Sequence, residues 1–353
     1  MSLNPPRLAQ DIQNQPTSLA RVLLHHFGEG LPQLKEAALL LGSGRRVLIT
    51  GMGASLFASI PLEVCLCSCG VDAVVVEAAE LLHYRYQGFR DAVVIMVSRS
   101  GDSVEVTKLL ATLGGRLPVI GITNELDSTL SREANVILNV DNMPDEMVAI
   151  QSYTGTVLTL HLLGHAAVHR LDPAREEVEV LLPLLSQLID SSLEEIRNWD
   201  DFLDSGATVY FLGRGPSYSS ALEGSLLFNE IAKVPAVGMT AGSFRHGPVE
   251  LVDQSFRGII FVPHGRTAHL NLALAHELKR FGGRVQVIGP PTKDTRDLDW
   301  RETPNAPETL APLFEIVPVQ VAAMRAAQLR GIPVGLFRYT ARVARDEERL
   351  HPG

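Results

Sequence analysis

The segment Ser98-Arg99-Ser100-Gly101-Asp102-Ser103 places three hydroxyls and a glycine within one short stretch. It follows the apolar run Ala92-Val93-Val94-Ile95-Met96-Val97 and precedes a helical pattern from Val104 to Leu110. Serine hydroxyls donate to anionic oxygens, a glycine lets the backbone present its N–H groups, and a helix start adds the positive end of its dipole. Arg99 brings a further cation to the same turn. An N-cap would account for only one of the three serines. No P-loop lysine accompanies the turn, so the chemistry is that of a small phosphate ester such as a sugar phosphate, not of ATP.

A second set lies downstream. Glu223 and Glu230 are seven positions apart, two turns of a regular helix, and are expected on one helix face. His246 stands in the glycine-bearing loop Ala241-Gly242-Ser243-Phe244-Arg245-His246-Gly247-Pro248. A carboxylate and an imidazole suit proton transfer near neutral pH. Two further turns, Gly51-x-Gly53-x-Ser55 and Gly213-x-Gly215-x-Ser217, follow apolar runs and open helices, a setting for close approach of an anion. The first lacks the third glycine of a dinucleotide fingerprint, since position 56 is Leu, although Glu77 stands about where the acidic partner would.

The elements that position these residues are apolar runs alternating with helical stretches. Val47–Thr50, Ala73–Val76, Ala92–Val97, Val119–Ile122 and Val136–Leu138 are continuously apolar, as strands buried on both faces of a parallel sheet are. Residues 153–203 are mostly helical, with a break near Asp172-Pro173. The pattern then restarts with Thr208–Leu212, Gly258–Val262 and Val285–Ile288. The glycine-serine turns recur at a shift of 162 residues and the strands at Val93 and Val119 at a shift of 166. The chain is thus an α/β repeat. The expected ranges are an N-terminal arm over 1–16, a first domain over 17–195 and a second with a C-terminal tail over 196–353. Thr17 or Ser18 is the expected first N-cap.

Bulk properties remove several functions. The net charge of -9 offers no basic footprint for nucleic acid. No apolar stretch reaches the ~18 residues of a membrane helix, and no secretory leader is visible, so a cytoplasmic protein without a membrane partner is expected. Cys65, Cys67 and Cys69 lack zinc-knuckle spacing and read as small buried hydrophobes on a helix. His161, His165 and His169 recur every fourth residue, a spacing that can hold zinc. No carboxylate or cysteine completes the set, so a pocket edge or interface stripe is expected, with no metal and no cofactor.

Taken together, the paired Gly-x-Gly-x-Ser turns, the serine turn, Ala221-Leu222-Glu223-Gly224 and Arg245-His246-Gly247-Pro248 resemble tandem sugar isomerase (SIS) proteins. The likeness is to the isomerase half of glucosamine-6-phosphate synthase and to its deglycase relatives, and Asp11–Pro16 resembles the arm that precedes the first domain there. The resemblance covers nearly the whole chain in motif order. It implies an α/β fold of two tandem flavodoxin-like SIS domains, each a parallel sheet flanked by helices, in a homodimer. It implies that Ser55, Ser98, Ser100 and Ser103 hold the sugar phosphate and that Glu230 moves a proton between sugar carbons. His246 would help to open the ring from the neighbouring subunit, and Glu223 would line the pocket. Two departures stand out. Arg342 occupies the place of the Schiff-base lysine, and arginine cannot act as a free amine. Leu227 replaces a second lysine. The reaction implied is isomerisation or deglycation of a 6-phosphorylated sugar or amino-sugar, with ammonia-dependent synthesis and non-catalytic phosphosugar sensing as alternatives.

Overall fold

A computed structural model describes residues 7–349, apart from 294, 296, 335, 336 and 340–342. The first parallel sheet contains β1 (Arg46–Gly51), β2 (Ala73–Glu77), β3 (Ala92–Val97), β4 (Val119–Thr123) and β5 (Val136–Asn139), in the order β2-β1-β3-β4-β5. The second contains β6 (Val209–Gly213), β7 (Ala236–Thr240), β8 (Arg257–Phe261), β9 (Arg284–Gly289) and β10 (Asp299–Glu302), in the order β10-β9-β8-β6-β7. Both sheets are parallel throughout and both reverse their winding at one place, between β1 and β3 and between β6 and β8. That reversal opens a crevice at the carboxyl ends of the strands, where open α/β sheets bind ligands.

The apolar runs form these strands because they are covered on both faces. Every residue of β3 is buried, and Val94 and Met96 pack with Val106, Leu109 and Leu113 of the helix Val104–Leu113. In the second sheet Ile260, Val285 and Val287 pack with Leu274 and Leu278 of the helix Ala268–Arg280. Each such side chain contributes about 2 kcal/mol on burial. β7 and β10 lie at the edges, are partly exposed, and carry a glycine and three charged residues respectively, so they lack the two-sided apolar pattern.

Several expectations are corrected. The first helix runs from Arg7 to Phe27 straight through Thr17, so neither Thr17 nor Ser18 caps it. Burial of Leu8, Ala9 and Ile12 holds the arm helical despite Pro16, and the Ser18 hydroxyl instead accepts from the Met143 N–H at 2.9 Å. By packing alone, and apart from these corrections, the described residues 7–16 group with 180–334 and the second sheet, and 17–179 group with the described residues from Phe337 onward and the first sheet. Cys67 and Cys69 are exposed and Cys65 is half-buried, because the helix Ile60–Ser68 turns Ile60, Leu62 and Leu66 inward instead. His169 lies beyond the helix Gln151–Ala167 with φ +58°, so the histidine stripe stops at His165. Trp199 lies under the Arg301 guanidinium, 5.3 Å from the ring centre, and Trp300 donates to the Gly289 carbonyl at 2.9 Å. Among the described residues no helix is long and apolar enough to cross a membrane, and no group of three His, Cys, Asp or Glu side chains could hold a metal.

Candidate functional site

The strand pairing that sets Gly51 beside Val97 places the turn of Ser55 next to the turn of Ser98, Ser100 and Ser103. The two turns that carry these four serines therefore both follow strands at the reversal of the first sheet. The serine turn is shaped by its own bonds. The Ser98 hydroxyl accepts from the Gly101 N–H at 3.1 Å, and that of Ser100 accepts from the Asp102 N–H at 3.3 Å. Gly101 has φ +64°, and a Cβ there would come within 2.1 Å of the Ser128 hydroxyl, so only glycine fits. Asp102 is turned out of the crevice. Its Oδ1 accepts from the Thr129 N–H at 2.8 Å, and that bond holds its carboxyl below the usual carboxylate range.

Ser103 occupies the N-cap position of the helix Val104–Leu113, yet its hydroxyl makes no capping bond. The Val104 N–H donates instead to the Ala344 carbonyl of the C-terminal tail at 3.0 Å. A capping serine is normally consumed by its own helix. The Ser103 hydroxyl is not, which leaves it available to a ligand at the positive end of the helix dipole. The tail is held near by Glu347, which accepts from Lys108 and from His83, the latter at 3.2 Å.

Arg99 is half-buried, and its Nη1 donates to the Met147 carbonyl at 3.4 Å. It also acts on Asp145, a buried carboxylate that sequence reasoning missed. Asp145 accepts from the Gln151 and Ser152 amides at 2.7 and 2.9 Å and so ties down the start of the helix Gln151–Ala167. Burial raises its pKa, and the hydrogen bonds from Ser152 and the Arg99 charge oppose that rise. A carboxylate a few residues ahead of the uncharged helical run at 151 was the available signal.

The other residues belong to the second unit. The helix Ser217–Leu227 carries Glu223, which is fully buried. Glu230 does not continue that helix. It stands in the wider π-turn Phe228–Ala232, which Lys233 ends at φ +52°, and the Lys233 ammonium donates to the Glu230 carbonyl. Two regular helical turns therefore do not separate the two glutamates: one is sealed in, the other half-exposed. Wider turns of this kind interrupt helices at functional positions. Asn229 fixes the turn to the adjoining strand, accepting from the Ala236 N–H at 3.1 Å and donating to its carbonyl at 3.3 Å. His246 is exposed, and its N–H donates to the Ser243 carbonyl at 3.0 Å just before Gly247 at φ +136°. Leu227 is fully buried. Arg342 lies outside the described residues.

Sequence reasoning also missed Glu315. It lies in the first turn of the helix Pro312–Leu329 and is completely buried. Ser217 and Ser220 donate to its two oxygens at 2.7 and 2.5 Å. Burial pushes its pKa up to about 7, with the nearby Glu308 adding to the rise and the serine bonds opposing it. A lone acid inside the apolar run from Leu313 to Met324 was the sign of a paired, buried carboxyl.

The family described as SIS domain matches residues 40–170 and again 202–330. The chain is 31% identical over 334 residues to a glutamine–fructose-6-phosphate aminotransferase [isomerizing] of Pyrococcus horikoshii, covering 92% of this chain and 55% of that one. It is 26% identical over 357 residues to the Escherichia coli protein of that name, covering 95% and 58%. The chain thus spans about half the length of the curated relatives it matches. Among solved structures, the C-terminal domain of glucosamine-fructose-6-phosphate aminotransferase from Francisella tularensis superposes with TM-score 0.82 at 21% identity, over 94% of this chain and 98% of that one. Tagatose-6-phosphate ketose/aldose isomerase from Escherichia coli superposes with TM-score 0.74 at 20% identity, over 93% and 94%. At these identities the superpositions establish the fold.

Proposed function

Because the chain belongs to the SIS-domain family, we propose that it is an enzyme of 6-phosphorylated sugars or amino-sugars that moves a proton between carbons 1 and 2. The reaction is aldose–ketose isomerisation or hydrolytic deglycation of a fructosamine 6-phosphate. The observation that carries this reading is that the turns of Ser55 and of Ser98, Ser100 and Ser103 follow adjacent strands at the reversal of the first sheet, with the Ser103 hydroxyl not spent on its helix. The names of the relatives, an isomerizing aminotransferase and a ketose/aldose isomerase, support a phosphosugar as the ligand.

In this reading the serines grip the phosphate. Glu230, half-exposed on its wide turn, takes the proton from one carbon of the opened sugar and returns it to its neighbour. His246 protonates the ring oxygen as the ring opens, and it acts in the site of the partner subunit of a homodimer. Glu223 lines the pocket from its buried position. In deglycation, water displaces the amine after the same proton shift, giving the free sugar phosphate and the amine. Amination from ammonia is disfavoured, because a buried leucine at 227 supplies no amine where the synthase has one.

The test is a thermal-shift screen of sugar phosphates and fructosamine phosphates, followed by turnover assays on the ligands that bind. Glu230→Gln is expected to keep binding and to lose turnover by roughly a thousandfold. Full activity in that variant would remove Glu230 from the mechanism. Tight binding without turnover of any ligand by the unaltered protein would instead point to a sensor.

A further inference from the structure

The repeat gives every residue of the first crevice a counterpart in the second sheet. The shift of 162 takes Ser55 to Ser217, and the shift of 166 takes Ser100 to Arg266. The counterparts lie four and five residues beyond the ends of β6 and β8, strands that flank the place where the second sheet reverses its winding. In the first unit no carboxylate among the described residues occupies the serine turn: Ser55, Ser100 and Ser103 are half-exposed and the Ser103 hydroxyl makes no capping bond. In the second unit the cradle is filled from within.

Two carboxylates do the filling. Glu315 takes the hydroxyls of Ser217 and Ser220, and it is sealed from solvent together with both serines. Glu308 takes the loop that corresponds to the serine turn. Its Oε1 accepts from the Arg266 N–H at 3.1 Å. Its carboxyl carbon is so close over Gly265 that a Cβ there would lie 2.0 Å away. A hydroxyl and a backbone N–H, the donors an oxyanion would use, are thus each engaged by an oxygen of the chain itself. The two acids are near enough for the charge on Glu308 to raise the pKa of Glu315. A phosphate entering this cradle would meet a filled volume, the charge of Glu308 and, as pH rises past about 7, that of Glu315 as well.

We infer that the carboxyls of Glu308 and Glu315 fill the second cradle, close it to phosphate and so reserve a phosphorylated ligand for the serine turn of the first unit. They are specificity determinants that touch no substrate. The inference rests on the reading of the serine turn as the phosphate grip, and the test separates the two.

Inorganic phosphate is titrated into the full chain by calorimetry and by phosphorus NMR. The unaltered protein is expected to take up a single phosphate, and Ser100→Ala with Ser103→Ala is expected to abolish that uptake. Glu308→Ala with Glu315→Ala is expected to create a second phosphate site that survives the serine substitutions, with affinity raised about tenfold or more over the same region of the unaltered protein. Should the double variant fail to fold, Glu308→Ala alone, at a half-exposed loop position, is expected to show the same gain in weaker form. A folded variant that takes up no additional phosphate overturns the inference, as does an unaltered protein that already binds two. If the unaltered protein binds none and the glutamate variant binds one regardless of the serines, the reading of the serine turn fails, and with it the reservation of the ligand for that turn, while the closing of the second cradle by the two acids stands.

Discussion

Glu315 offers a quantitative test of how the second unit is built. Its carboxyl rises from the ordinary 4.5 to about 7 because it is completely buried, with Glu308 adding to the rise and Ser217 and Ser220 opposing it. The folded state therefore holds this proton more tightly than the unfolded state does. Its contribution to stability is largest below pH 4.5, declines as pH rises from there to about 7, and is level above that. The decline corresponds to about 3 kcal/mol over the window, at 1.36 kcal/mol per pH unit. Glu315→Gln keeps the shape and offers an acceptor and a donor to the two serines, but it has no proton to lose. The variant should match the unaltered protein near pH 5 and exceed it above pH 7, by up to about 3 kcal/mol. Urea unfolding at pH 5, 6, 7 and 8, followed by the fluorescence of Trp199 and Trp300 in the same unit, measures the difference. Glu308→Gln should move the transition of the unaltered protein to lower pH by removing the adjacent charge. Parallel stability curves for Glu315→Gln and the unaltered protein across this range would refute the burial argument.

Other predictions concern the first crevice and the subunit arrangement. Ser103→Ala should weaken phosphosugar binding by about tenfold with little change in stability, since the hydroxyl caps nothing. Ser128→Ala should do the reverse, costing about 1 kcal/mol with affinity kept, since Ser128 caps the helix Thr129–Glu133; denaturation and binding isotherms on both variants check the contrast. Gly101→Ala should cost about 2 kcal/mol or more, measured by thermal unfolding, because of its φ of +64° and the Ser128 hydroxyl in the path of a Cβ. Mixing inactive Glu230→Gln and His246→Ala proteins under subunit exchange should restore roughly a quarter of the activity, as random pairing gives one intact site in each mixed dimer; no recovery would place His246 in the site of its own chain.

Much of this architecture was legible because strands covered on both faces announce themselves. β1 to β6 and β8 contain unbroken apolar runs, β9 is interrupted only by Gln286, and the repeat of their spacing revealed two units. β7 and β10 were not visible, because an edge strand such as Ala236-Val237-Gly238-Met239-Thr240 needs no continuous apolar pattern. The serine turn was readable from composition alone, since few other settings gather such residues after a buried strand. Its fine structure was not: that Ala344 takes the place of a serine cap depends on a contact between positions 240 residues apart. Regular helical spacing misled at Glu230, where a wider turn changes the pitch. The buried acids Asp145 and Glu315 left a readable mark, a charge beside or within an apolar run, whose meaning depended on the donors that surround it.

The grouping of the arm with the second sheet and of the tail with the first has a consequence for how the chain folds as it is made. The first sheet is complete once β5 has left the ribosome, but the backbone group that satisfies the Val104 N–H comes from Ala344. The arm in turn waits for Gln320, whose side chain receives the Gln15 amide at 2.8 Å. Each unit thus takes its closing contacts from the far end of the chain, and such long-range closure is slow. Synthesis should leave an unfinished first unit exposed until the whole of the second has emerged. Pulse-labelled hydrogen exchange should find Val104 protected late, well after the strands of its own sheet.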